Sequence, residues 1–159
     1  HIFEGTSVPL FGINRKIKTM ANCKKEYFLT DSVLTVKRTK LVFNKQIKKI
    51  FVQIAEEVFI ENCSKYAREL GVTFSKISIK DPKSRWGSCS SEGKLMFSWR
   101  LIMAPKQVFS YVAAHEVAHL VHLNHSKEFW NVVYSLHPDY HSQRNWLRKN
   151  GHFLHKFIF

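Results

Sequence analysis

The sequence of 159 residues predicts an α+β fold from the grouping of its β-prone and helical segments. Runs rich in β-branched and aromatic residues lie at 8–20 and 27–38, and a long run with apolar residues at helical spacing follows at 44–70. No repeat or low-complexity linker interrupts the chain, and 45% of its residues are hydrophobic. We therefore expect one domain over 1–159, in which a small antiparallel or mixed sheet packs on a long helix.

The first 70 residues divide into a β-rich part, 1–43, and the long helix, 44–70. Asn44 is a residue type that caps helix N-termini, and Gly71 is a natural helix terminator. A broad apolar stripe predicts the buried face of this helix. Its members are Ile47, Ile50, Phe51, Ile54, Val58, Tyr66 and Leu70.

Residues 71–151 are expected to form the core that carries the chemistry, and 152–159 an apolar tail that packs on it. Pro105 suits the first position of a helix, where its missing N–H has no helical partner to lose. Gly151 is expected to end the last helix. The expected elements are strands at 74–80 and 94–99 and helices at 105–123, 126–136 and 138–150.

The helix predicted over 105–123 carries the motif His-Glu-X-X-His at 115–119. His115 and His119 lie four residues apart, so both imidazoles project from one helix face and can reach one metal ion. Glu116 can then act as the base toward a metal-bound water. The motif indicates a zinc-dependent hydrolase.

A third ligand must come from beyond this helix. His122 shares the stripe but lies about 10 Å along the helix axis from His115, too far for zinc–nitrogen bonds of about 2.0–2.1 Å. If the chain turns and Ser126 caps a new helix, His125 lies at the corner and points back toward the metal. Glu128 is the reserve ligand. Three protein ligands leave a fourth position open, as catalytic zinc sites do.

Several further residues are candidates for roles around the metal. His122 and His141 are either proton-donating groups near the site or partly exposed histidines without a role. Arg85 and Arg100 are candidates for substrate binding, since a planar guanidinium binds carboxylate or phosphate with two hydrogen bonds; a loop-bracing arginine is the alternative. The strand at 94–99 is a candidate sheet edge for holding an extended peptide, with plain sheet packing as the alternative.

The charge and the cysteine content limit which binding partners and which cellular compartment we expect. The net charge is +13, and residues 1–50 alone hold 11 Lys and Arg against 3 Asp and Glu. Such a field attracts nucleic acid, nucleotides or acidic proteins, although solubility alone would also explain it. The three cysteines form no CxxC pair, which fits a reducing cytosol. With no run of 18 apolar residues and no secretory signal at 1–20, we expect a cytoplasmic protein without a membrane partner.

A resemblance to a known family rests on short segments between Phe11 and Gly151. The most specific are Arg85-Trp86-Gly87-Ser88-Cys89, Phe97 to Ile102 with Ala104-Pro105, Tyr111-Val112, His115 to Leu120, Asn124-His125-Ser126, Phe129-Trp130, Pro138-Asp139-Tyr140 and Trp146-Leu147. Together they resemble the YgjP-like metallopeptidase family, relatives of the SprT-like zinc proteases. Small departures are Val117, where the family usually has Leu, and Phe97-Ser98, which replaces a more usual Leu-Asn.

The resemblance implies His115, His119 and His125 as zinc ligands and Glu116 as the catalytic base. The segment 85–89 is the hallmark of the family. Within it we expect Trp86 to fill the core, Gly87 to meet the backbone needs of a turn, and Cys89 to be a small buried hydrophobe, with metal contact as the alternative.

Three functions follow from these observations as expectations. The first is a zinc metallopeptidase with a zincin-like fold, acting on a peptide or protein. The second is a metal-dependent nucleotide phosphohydrolase, namely a nucleoside triphosphate pyrophosphatase that uses the same site. The charge and Arg85 favour it, and the missing Gly-rich phosphate loop disfavours it. The third is a nucleic-acid-binding module with structural zinc, which Glu116 and the open coordination position disfavour. The oligomeric state stays open.

Overall fold

The N-terminal part of the chain forms a four-stranded mixed sheet. A computed structural model describes residues 1–159. The strands are β1 (Ser7–Leu10), β2 (Ile13–Met20), β3 (Tyr27–Leu29) and β4 (Val33–Lys37), in the order β1-β2-β4-β3. β2 and β4 are parallel, and the other two pairs are antiparallel. Ile17, Leu34 and Val36 are buried on the inner face of the sheet and alternate with exposed or half-buried residues.

The long helix α1 (Phe43–Leu70) lies mainly against the metal-binding half of the chain, and its Gln46 side chain donates a hydrogen bond to the Lys37 carbonyl of the first sheet. The prediction that Asn44 caps it is wrong: Val42 occupies the cap position without a side-chain bond, and the Asn44 Oδ1 accepts a hydrogen bond from the Lys45 N–H. Gly71 ends the helix in the left-handed conformation, at φ 66°, as predicted. The buried residues of α1 are Gln46, Ile47, Ile50, Phe51, Ile54, Ala55, Phe59, Cys63, Tyr66 and Ala67.

The next three strands form a second, separate sheet, a division that the sequence patterns did not predict. Its strands are β5 (Lys76–Lys80), β6 (Gly87–Cys89) and β7 (Lys94–Ser98), in the order β5-β7-β6. β7 is therefore the central strand, and its predicted role as the exposed edge is wrong. Because the segment 87–89 pairs antiparallel with 95–97, it covers β7 and itself forms the edge.

The C-terminal half is helical. A short 3-10 helix (Trp99–Met103) leads into α2 (Lys106–Ala118), which ends at residue 118 and not at 123 as predicted. α3 (Lys127–Leu136) begins as expected, with the Ser126 hydroxyl accepting a hydrogen bond from the Phe129 N–H at 3.3 Å. α4 (Tyr140–Leu154) continues through Gly151, so the prediction that this glycine ends the helix is wrong. None of the helices has the length and apolar character that crossing a membrane requires.

Aromatic side chains join the layers. Phe59 of α1 stacks on Phe97 of β7, with ring centroids 4.1 Å apart. The tail returns over α1, where Phe159 lies 5.2 Å from the ring of Phe51 and 4.9 Å from that of Trp99. The sheet edge β6 and the helices α2 and α4 are thereby held around one cleft, which contains the predicted metal-binding motif.

Candidate metal centre

Helix α2 positions the first two histidines of the motif. Most of its side chains are buried, against α1, α3, α4 and β6, and this fixes its rotation about its own axis. His115 lies in its last turn, and His119 is the residue that closes it, still in the right-handed helical conformation at φ −65° and ψ −17°. The spacing of four residues therefore keeps its helical geometry, and the two rings have centroids 5.0 Å apart.

His125 returns to the same point from the loop before α3. The three histidines each offer a ring nitrogen, and these atoms lie within 4.8 Å of one another. The Nε2 atoms of His115 and His125 are 3.2 Å apart. Two nitrogens bound to one tetrahedral zinc would lie about 3.4 Å apart, given bonds of about 2.0–2.1 Å. The closest pair thus already has the spacing of two zinc ligands, and the reserve ligand Glu128 is not part of the cluster.

The outer nitrogens of two of these histidines have partners that orient their rings. The Nδ1 of His119 lies 3.0 Å from the backbone carbonyl of His122, which accepts its hydrogen bond. The hydroxyl of Tyr111 lies 3.4 Å from the Nδ1 of His115. A partner at Nδ1 leaves the Nε2 lone pair free for a metal, as in most histidine metal sites. His122 therefore contributes its carbonyl here, a role that its side chain did not predict.

The protonation of these histidines also suits metal binding. Burial, followed by the charges of His119, His125 and Arg144, lowers the pKa of His115 to about 3. Burial likewise lowers the pKa of His119. A histidine binds a metal through its neutral form, so the two helical histidines need lose no proton near neutral pH.

Glu116 lies next to the cluster, at the bottom of the cleft. It is only 5% exposed, and its carboxylate forms neither an ion pair nor a hydrogen bond with the protein. Burial raises its pKa to about 8, and the positive charge of Arg85 opposes this rise. A carboxyl group with a raised pKa is a strong proton acceptor once it is ionised, which is what a general base near neutral pH requires.

The cleft in front of Glu116 is small and mainly apolar, with a volume of about 190 Å³. Its walls come from β6 on one side, α2 below and α4 on the other side. The lining residues are Trp86, Gly87, Tyr111, Val112, His115, Glu116 and Leu147. A group that enters it meets His115 of the histidine cluster and the Glu116 carboxylate at the same time.

The segment 85–89 forms one wall of this cleft. A Cβ atom on Gly87 would lie 3.0 Å from both Cγ and Oε2 of Glu116, so the glycine leaves room for the carboxylate. The φ of Gly87 is not in the left-handed region, so the prediction that a turn requires this glycine is wrong. A glycine fits here because the Glu116 side chain leaves too little space for a larger residue. Trp86 packs on Gly151 of α4, where a Cβ would lie 2.9 Å from the indole Cζ2. This close packing explains why α4 has a glycine in its last turn.

Cys89 and the predicted arginines have separate places. Burial raises the pKa of the half-buried Cys89 thiol to about 11, and its Sγ donates to the Ser90 carbonyl at 3.4 Å, outside the histidine cluster. Arg85 is exposed and near enough to affect Glu116. Arg100 instead pairs with Asp81 at 2.6 Å and donates to the carbonyls of the tail, so the structure gives it a bracing position away from the cleft.

Aromatic residues to which the sequence analysis gave no role surround the histidine cluster. Phe129 stacks on His119 with centroids 4.4 Å apart, and Trp130 lies nearly parallel to His125 at 6.0 Å. Arg144 of α4 lies over Trp130, with its guanidinium carbon 4.8 Å from the ring centroid. His141 is exposed and stacks on Tyr140 at 4.1 Å, away from the metal cluster. The aromatic doublet at 129–130, one turn after Ser126, was the sequence signal available for this shell.

Comparison with known proteins agrees with this geometry. Residues 1–150 match the family described as YgjP-like, metallopeptidase domain, a range that includes the histidine cluster, Glu116 and the segment 85–89. The comparison with curated proteins found no match. The family match implies a zinc metallohydrolase. The chain belongs to the YgjP-like metallopeptidase family.

Proposed function

We propose that the protein is a zinc-dependent metallopeptidase, with His115, His119 and His125 as the ligands and Glu116 as the base. The observation that carries the proposal is the convergence of three ring nitrogens within 4.8 Å beside a buried, unpaired carboxylate. The HExxH helix beside a sheet edge also supports a zincin-like fold. One zinc ion held in this way would polarise a substrate carbonyl and acidify a water molecule.

Glu116 performs the proton transfers in this proposal. Its carboxylate accepts a proton from the attacking water and then delivers it to the nitrogen of the leaving amine. The mainly apolar lining lowers the local polarity, which strengthens the interaction of the carboxylate with the reacting groups. Because Gly87 has no side chain, the Cγ and Oε2 atoms of Glu116 can lie close to β6 without a collision.

The edge strand β6 supports a peptide as the substrate. It pairs with β7 on one side only, and its other edge lies at the cleft that contains Glu116. An extended peptide can add to such an edge through main-chain hydrogen bonds, which bind a peptide bond without selecting its side chains. Selectivity would then come from the groups that line the cleft and its surroundings.

Product analysis by mass spectrometry tests the proposal. Zinc-loaded wild type, E116Q and E128Q are each incubated with denatured protein. We expect new peptide termini with wild type and with E128Q, whose carboxylate lies outside the cluster, and none with E116Q. Equal turnover by E116Q would exclude the proposed base, and loss of zinc from E116Q would make its inactivity uninformative, so its zinc content is measured in parallel.

A nucleotide phosphohydrolase is the second candidate, and the arginines near the cleft favour it. Arg85 affects the pKa of Glu116, and Arg144 affects that of His115, so both charges lie close to the reacting groups. The same incubation therefore includes a mixture of nucleoside triphosphates. Release of mono- or diphosphates by wild type but not by E116Q, without new peptide termini, would replace the first proposal by this one.

A further inference from the structure

A second groove, larger than the cleft, lies on α4 and carries only polar and positively charged side chains. Its volume is about 770 Å³, and its lining residues are His141, Ser142, Arg144, Asn145 and Arg148. Helix α4 contains no Asp or Glu between residues 140 and 154, so it supplies no counter-charge of its own. We call this surface the cationic groove. Its charge is therefore available to an external anion.

The stack of rings beside the metal ligands holds Arg144 in the cationic groove. Its guanidinium lies over Trp130, whose ring is nearly parallel to those of His125, at 26°, and Tyr140, at 20°. A guanidinium over an indole face is held by cation–π attraction while its N–H edges stay free. Arg144 forms no hydrogen bond and no ion pair with the protein, so those edges are directed to solvent. The stack places them one ring away from a metal ligand.

Helix α4 also joins the cationic groove to the cleft. Leu147 lines the cleft, and it lies one helical turn from Arg144 and next to Arg148 in sequence. Residues three apart on a helix are neighbours, with Cβ atoms about 5–6 Å apart. An extended peptide that crosses α4 can thus place an apolar side chain in the cleft, against Trp86 and Leu147, and another side chain at the two guanidinium groups.

We propose that Arg144 and Arg148 form a carboxylate-binding subsite, through which the enzyme selects peptides with an acidic residue close to an apolar one. The inference rests on the proposed peptidase function and adds its substrate class. Arg148 donates to the Asn145 side chain at 2.8 Å, which orients it, and its remaining N–H groups are free to bind a carboxylate. Two guanidinium groups side by side bind a carboxylate more strongly than one, because each adds a charge-assisted hydrogen bond.

Binding of matched peptides to the inactive protein tests the subsite separately from turnover. Zinc-loaded E116Q is titrated with fluorescent peptides that differ only in Glu or Gln next to a Leu, and anisotropy is recorded. We expect the Glu peptide to bind about tenfold more tightly, the scale of one charge-assisted hydrogen bond. Adding R144Q or R148Q should reduce the preference to near unity, while K149Q, which removes a charge outside the groove, should leave it.

The results distinguish the subsite from the peptidase itself. Equal affinity for the two peptides, or an equal loss of preference in K149Q, would overturn the subsite. Cleavage of a peptide library by wild type without enrichment of acidic residues would overturn it while leaving the peptidase in place. If Glu peptides bind selectively but no peptide is cut, the peptidase fails and the carboxylate site stands. Tight binding of inorganic tripolyphosphate through Arg144, with no preference for Glu peptides, would also overturn it.

Discussion

Gly87 shows how a residue without a side chain shapes the candidate active site. It lies on the edge strand, and a Cβ atom there would lie only 3.0 Å from the Cγ and Oε2 atoms of Glu116. The two residues are distant in sequence and come from different elements, β6 and α2. The position of this carboxylate is therefore set by a contact between elements, while the positions of the three histidines are set mostly by one segment of the chain.

We expect G87A to lower kcat by about 10- to 100-fold with zinc content unchanged. The new methyl group would lie 3.0 Å from two side-chain atoms of Glu116 and 3.1 Å from the Met96 carbonyl oxygen, so the carboxylate has to move by a few tenths of an ångström. Since a shift of about 1 Å in a catalytic group can cost about 100-fold, this smaller shift should cost less than that. Kinetics and zinc stoichiometry measure the two effects. S88A, the next residue on the same strand, is the control, and an unchanged kcat in G87A would refute the contact argument.

We expect H125A to lose most of its zinc affinity and E128A to keep it. The change removes one of the three proposed ligands, whereas Glu128 lies in the first turn of α3 outside the cluster. Competition with a chromogenic chelator measures both affinities on the same scale. Retention of wild-type affinity in H125A would mean that Glu128 or another group supplies the third bond.

Helix α4 connects three parts of the molecule at the level of elements. It carries Leu147 in the cleft, it packs on Trp86 through Gly151, and its end receives the guanidinium of Arg100 at the Leu154 carbonyl. Arg100 is itself fixed by Asp81 at 2.6 Å. A change at any of these contacts should therefore affect the stability of the α4 packing as well as the wall of the cleft.

We expect G151A to destabilise the protein by about 1–3 kcal/mol, the usual cost of overpacking. On an exposed helix, Ala in place of Gly would stabilise by about 1 kcal/mol. Here the added methyl group would lie 2.9 Å from the Trp86 ring, so the sign should reverse. Urea unfolding measures the difference. If the collision is the cause, W86L should recover part of the loss in the double variant, whereas stabilisation by G151A alone would contradict it.

The Asp81–Arg100 pair should make the free energy of unfolding decrease at acid pH. Burial raises the pKa of Asp81, but the hydrogen bonds and charges of Arg100 and Lys48 outweigh it, and the net pKa is lowered. Its stabilisation is therefore fully present above the unfolded-state pKa of about 3.9 and is lost as pH falls through the lower folded-state value. We expect D81N to be less stable than wild type at pH 7, with the difference vanishing at lower pH. A constant difference down to pH 2 would exclude this linkage.

At the scale of the whole molecule, the outer face of the first sheet concentrates positive charge. Lys16 and Lys18 of β2 are exposed there, and Phe28 on β3 is 44% exposed on the same sheet. A basic sheet with an exposed aromatic residue can bind the backbone and the bases of a single-stranded nucleic acid. The net charge of +13 adds a long-range attraction that is independent of sequence.

We expect weak binding to single-stranded nucleic acid that falls at least about tenfold between 50 and 200 mM salt. K16E/K18E should weaken it more than K76E/K80E, which makes the same change of charge on the second sheet. Anisotropy with labelled oligonucleotides at several salt concentrations measures both. Equal effects of the two pairs would reduce the interaction to overall charge, and no binding at low salt would leave solubility as the role of these lysines.

Features that depend on neighbouring residues could be predicted from the sequence, whereas those that depend on contacts between distant segments could not. His115, His119 and Ser126 could be placed by local rules, namely the helical spacing and the cap, and the loop then brought His125 to them. The order of the second sheet could not, because the pairing of 87–89 with β7 leaves no local periodicity in so short a strand. The same holds for the aromatic shell, whose members meet only when α3 and α4 pack on α2.

The closeness of the three histidines along the chain has a consequence for how this protein should be assayed. All of them lie between residues 115 and 125, while the groups that place the carboxylate and close the cleft come from residues 86–87 and from α4. A preparation that has lost its second sheet or its last helix could still retain the ion on this short segment. Metal content is therefore a measure of local integrity, and only turnover reports that the distant halves of the chain are assembled.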